Sequence, residues 1–138
     1  MKRIVLLVVL IIATSSEAAQ QYKVGDFADF TKSPTEHVFN VVERPFTVRS
    51  VKGVIAFSNG DLEPLPNVVF EIQGPGTEKR LRRSTTDKQG HFSIAHVPVG
   101  TYKFKATLNG YSSSVGTINV AREADKANLI QIEMTIGN

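Results

Sequence analysis

The chain has 138 residues, 41% of them hydrophobic, a formal net charge of +3 and no cysteine. That length holds one modest domain, and the hydrophobic share is too high for an intrinsically disordered chain. The small charge excludes a strongly basic nucleic-acid binder, and the missing cysteines exclude disulfide scaffolds, thiolate metal sites and cysteine nucleophiles.

The first elements read as an address. Lys2 and Arg3 supply a positive end, Ile4 to Ala13 is an uncharged run, and Thr14 to Ala19 is small and polar. This is the three-part pattern of a secretory leader, with Ser16 and Ala18 at the small-residue positions and cleavage expected after Ala18. A run of ten to thirteen apolar residues reaches only about 15–20 Å as a helix, too short for a hydrocarbon core of about 30 Å. No second apolar run follows, so no membrane span is expected once residues 1–18 are removed. The mature charge falls to about +2, and the expected location is secreted or periplasmic.

Residues 19–50 carry a weak pattern. Asp26-Phe27-Ala28-Asp29-Phe30 mixes acids with aromatics, Ser33-Pro34-Thr35 reads as a turn, and His37 to Val42 has the length of a short edge strand ended by Glu43-Arg44-Pro45. This stretch is expected to be a lead-in segment.

Residues 51–138 form the expected domain, where short apolar runs alternate with turn signals. Seven strands are predicted, over 52–57, 67–73, 81–86, 91–95, 101–108, 113–120 and 128–136. Asn59-Gly60 and Asn109-Gly110 are tight-turn signals, and Leu62 to Pro66, with two prolines, reads as a loop. Asp87 is placed to cap the turn before His91, with Gly90 at the position needing left-handed geometry. Period-two alternation puts Val68, Phe70 and Ile72 on one face. It likewise groups Phe92 with Ile94, Tyr102 with Phe104, Ala106 and Leu108, and Ile130 with Ile132, Met134 and Ile136. Lys103, Lys105 and Thr107 fall on the opposite face of their strand, which reads as solvated. Two such sheets share one core about 10 Å thick. No convincing helix is found.

The stretch from Val51 to Thr135 resembles the carboxypeptidase regulatory-like domain family. The resemblance rests on Lys52-Gly53-Val54-Ile55, on Leu65-Pro66-Asn67-Val68, and on Thr85 to Ile94 with its threonine–aspartate–turn–glycine–aromatic order. It also rests on Val97-Pro98-Val99-Gly100-Thr101-Tyr102, with Asn109-Gly110-Tyr111 closing a hairpin. It implies a transthyretin-like (prealbumin-like) all-β fold, a seven-stranded antiparallel Greek-key β-sandwich. It also implies a non-catalytic role, since in peptidases this module is an appendage beside the catalytic domain. The Tyr-Arg-Gly-Ser ending of a related urate-pathway hydrolase is missing, for the chain closes Met134-Thr135-Ile136-Gly137-Asn138. A lysine–asparagine isopeptide bond like that of similar adhesin domains is not supported. Lys52 and Asn128 could be cast for it, but Ala106 stands where the acid belongs and Glu71 is misplaced.

No His-Glu-x-x-His pair and no Gly-x-Ser-x-Gly elbow occurs. The three histidines, His37, His91 and His96, do not compose a zinc set, so no catalytic residue, metal or cofactor is expected. The conspicuous feature is the basic run Lys79, Arg80, Arg82 and Arg83, which with Tyr111 forms the candidate contact set for a partner or an anionic glycan. The bland alternative is an edge strand guarded by charge. The expected function is a structural or protein-interaction module of the cell envelope, presenting loops 59–66, 74–79, 95–100 and 109–113. A carbohydrate-binding module and an accessory subunit of a secreted hydrolase are the alternatives. Expected partners are an envelope or extracellular protein or a surface glycan, with no nucleic acid.

Overall fold

A computed structural model describes residues 22, 24–36, 38–74 and 80–137. The predicted leader, His37 and residues 75–79 of the predicted contact loop 74–79, Lys79 among them, lie outside the described residues. No helix among them is long and apolar enough to cross a membrane.

The domain is an all-β sandwich of two sheets. Its strands are β1 (Asn40–Val41), β2 (Phe46–Val48), β3 (Val51–Ser58), β4 (Leu62–Pro64), β5 (Val69–Gln73), β6 (Leu81–Thr85), β7 (His91–Ile94), β8 (Gly100–Thr107), β9 (Ser114–Val120) and β10 (Ile130–Met134). One sheet has six strands, ordered β1-β9-β8-β5-β6, with β2 beside β1 on the same edge of β9. The other has four, with β10 on one edge of β3 and β7 and β4 end to end on its other edge.

The strand count is therefore ten rather than the seven expected, and the pairing is not uniformly antiparallel. β1 and β2 run parallel to β9, and β10 runs parallel to β3. β4 falls in the stretch read as a loop. Proline lacks a ladder donor, but β4 is a short strand that pairs β3 along one side, an edge position where Pro64 is tolerated.

The inward rows assemble as their alternation requires. Phe70, Ile72, Phe104, Ala106, Ile118 and Val120 meet Ile55, Phe92, Ile94, Ile130, Ile132 and Met134 in one core. Phe70 stacks on Phe92 with ring centroids 4.1 Å apart, joining the two sheets. Ile136 departs from its predicted row and is 61% exposed, because β10 ends at Met134 and the alternation ends with it. Asp87 caps its turn as expected, its Oδ1 accepting from the backbone N–H groups of Gln89 and His91 at 2.9 Å each. Gly90 takes φ 77°, and a Cβ there would lie 2.5 Å from the Ile55 carbonyl oxygen.

The lead-in is the main departure. Rather than contributing at most one edge strand, the lead-in, described at residues 22, 24–36 and 38–48, forms a strap that crosses the outer face of the six-stranded sheet and adds β1 and β2. A 3-10 turn, Val24–Phe27, begins it. Phe27 and Phe30 then pack with Val115 in a second small core, flanked by Tyr22, Phe39 and Leu81. The face of β8 read as solvated is consequently covered. Lys105 is 1% exposed and Thr107 is buried, while Lys103 Nζ donates to the Asp26 carbonyl beside the Phe27 ring.

Candidate functional site

The basic run does not gather into one patch. Neighbouring residues of a strand point to opposite faces, so β6 divides its arginines. Arg83 turns outward, and its Nη2 donates to Glu71 Oε2 at 3.0 Å. Glu71 is fully buried on β5 and also accepts from the Thr31 backbone N–H at 2.8 Å, so this pair holds the strap. Arg82 turns the other way and reaches the loop after β7. Its Nη1 donates to the His96 carbonyl at 3.1 Å and its Nη2 to the Ala95 carbonyl. Arg80 is exposed before β6 begins. Tyr111 is half-buried, packed edge-on against Phe57 and bridged to Ile136.

The strand registers place the predicted loops at opposite ends of the sandwich. β3 and β10 run together, and Tyr111 bridges to the residue two past the end of β10. Residues 59–61 and 109–113 therefore share one end. β7 runs against β3, so residues 95–99 lie at the other end, with Arg80 and the start of β6.

The loop 95–99 is fixed by side chains on three of its carbonyls. Arg82 takes those of Ala95 and His96, and the Tyr102 hydroxyl donates to that of Pro98 at 2.7 Å. Val97 packs into the core, His96 holds φ 56°, and Val99 stands out with 59% of its surface exposed. The Tyr102 bond follows from the sequence, since that strand opens an inward aromatic whose hydroxyl needs a partner. The role of Arg82 does not, because alternation gives its face but not the loop that the face meets.

A groove of about 710 Å³ opens beside the strap, with Lys105 and Glu36 in its lining. Their charges are spent within the fold. Lys105 Nζ meets Glu36 Oε1 at 2.9 Å, the Ser113 hydroxyl donates to Glu36 Oε2, and the Phe39 ring lies 5.0 Å from the ammonium. Residue reading missed this network. The available signal was Phe27, Phe30 and Phe39 together with several acids in the lead-in, complementary to a Lys-x-Lys-x-Thr row.

Among the described residues, no cluster of three or more histidines, aspartates or glutamates could hold a metal ion. His91 opens β7 and His96 lies two residues past its end.

The profile of the carboxypeptidase regulatory-like domain family matches residues 50–135. The chain belongs to that family. The domain is of a regulatory, non-catalytic type, and its boundaries enclose β3 to β10 while leaving the strap outside. No curated protein matches the chain. Among solved structures, the domain is similar to chlorocatechol 1,2-dioxygenase from Pseudomonas putida, at 11% identity and a TM-score of 0.39. That match covers 76% of this chain and 68% of the other, and at this level it carries no argument about activity.

Proposed function

We propose that the protein is a secreted, non-catalytic interaction module that binds a protein partner in the cell envelope through the loop 95–99. The observation that carries this reading is the fixing of three of the loop's five carbonyls by Arg82 and Tyr102. Ordering a loop on binding costs affinity, and a loop already held in one shape avoids that cost. Val99, apolar and exposed at the same end of the sandwich as the exposed Arg80, is the expected anchor. The leader-like segment supports export, and the family supports a regulatory rather than a catalytic task. A glycan site on the basic strand is less favoured, because the Arg82 head is bonded to loop carbonyls and that of Arg83 to Glu71.

The test is capture from the native envelope extract with the tagged, exported protein, followed by identification of what is retained. A single protein held at high salt and lost with Val99→Asp is the expected result. Glycan captured at low salt and released at high salt, with Val99→Asp indifferent, would overturn the reading.

A further inference from the structure

The chain has two Asn-Gly pairs in exposed turns, Asn59-Gly60 and Asn109-Gly110, and the fold treats them differently. We propose that Asn59 is a site of spontaneous deamidation and that the strap protects Asn109.

The reaction needs a free backbone nitrogen on the following residue and an accessible, polarised side-chain amide. The Gly60 nitrogen, deprotonated by hydroxide, attacks Asn59 Cγ and forms a C–N bond. The Cγ–Nδ2 bond then breaks and ammonia leaves after taking up a proton. Water opens the cyclic succinimide at either carbonyl, giving aspartate or isoaspartate. Nothing is oxidised or reduced, and the net change is water consumed and ammonia released.

At Asn59 each requirement is met. No backbone hydrogen bond engages the Gly60 N–H among the described residues, and a Cβ built on Gly60 finds nothing within 4 Å. The Asp61 backbone N–H points at Asn59 Oδ1, 3.3 Å away. That donor stabilises the negative charge that develops on the amide oxygen during attack. At Asn109 the nucleophile is occupied. The Gly110 N–H donates to Thr35 Oγ1 at 3.0 Å, and Thr35 Oγ1 in turn donates to the Tyr111 carbonyl at 3.0 Å. Thr35 belongs to the strap, so docking of the strap protects the second turn.

The product adds a carboxylate beside Asp61 at the end of the sandwich opposite the loop 95–99. The inference is therefore independent of the proposed partner surface.

The experiment incubates the exported protein in mildly alkaline buffer and follows both peptides by mass spectrometry, with isoaspartate quantified. Asn59 is expected to lose its amide at least about fivefold faster than Asn109, the factor one hydrogen bond commands. Thr35→Val should bring Asn109 toward the Asn59 rate. Equal rates in the wild type, or a faster Asn109, would overturn the proposal. So would a folded Thr35→Val protein with an unchanged Asn109 rate. If that variant does not fold, the wild-type ratio alone decides.

Discussion

Glu71 shows how a residue's partner decides what its position means. It sits in the row opposite Phe70 and Ile72, where an acid normally meets water, yet it is fully buried. A buried carboxylate is costly unless its lone pairs are satisfied. Here the Thr31 N–H and the Arg83 guanidinium satisfy them, and one of those donors comes from the strap. Tyr22, in the strap, makes the same point over β9. Its ring packs against Phe27 and its hydroxyl shares a hydrogen bond with Thr117 Oγ1. Burial pushes the Tyr22 pKa above its usual 10.0, the Thr117 bond lowers it by less, and Asp26 adds to the rise. A raised folded-state pKa contributes stability that is fully present below the unfolded value and lost as pH rises through the folded value. Stability should therefore decline above about pH 10, and the Tyr22→Phe protein should lose less over that range. Urea denaturation at stepped alkaline pH checks this, and identical pH slopes in the two proteins would contradict it.

At the scale of strands, the positions that alternation exposes are those the sequence made legible. The rows of β5, β7, β8 and β10 were readable because one side is hydrophobic throughout. β1 lies within the stretch 37–42 read as a short edge strand, but β2 was not legible, since a strand of three residues leaves no period to detect and Pro45 directly precedes it. The covered face of β8 was misread for a physical reason. Lys103, Lys105 and Thr107 look the same whether water or an acid-bearing strap lies above them. The contact set met the same limit. Arg82 and Arg83 are adjacent in sequence, but the strand sends one to a loop and the other to Glu71. Within the sheet, Gly116 of β9 lies opposite Phe104 of β8, and a Cβ there would sit 2.5 Å from that ring. Gly116→Ala should accordingly cost about 1–3 kcal/mol through overpacking. Shrinking the ring in Phe104→Leu should relieve part of that, so that the pair is less destabilised than the sum. Urea unfolding of the three variants tests it, and simple additivity would argue against the close approach.

Over the whole molecule, the family match begins at residue 50, but the folded body extends back to Tyr22. The strap seals one face, the fixed loop 95–99 stands at one end, and the two Asn-Gly turns stand at the other. In this arrangement the charged residues nearest the sheet serve the fold, and the proposed function assigns recognition to the shaped loop. That division depends on the strap being docked through Glu36 and Lys105 rather than lying loosely over the sheet. Breaking a buried ion pair by removing one partner typically costs about 3–5 kcal/mol, whereas replacing both together is often close to neutral. A double-mutant cycle of Lys105→Met and Glu36→Gln, measured by urea denaturation of the purified protein, tests the docking directly. The expected result is a strongly destabilised Lys105→Met protein that is substantially rescued by adding Glu36→Gln. Additive effects with no coupling between the two positions would show that the strap is not anchored there and would contradict this architecture.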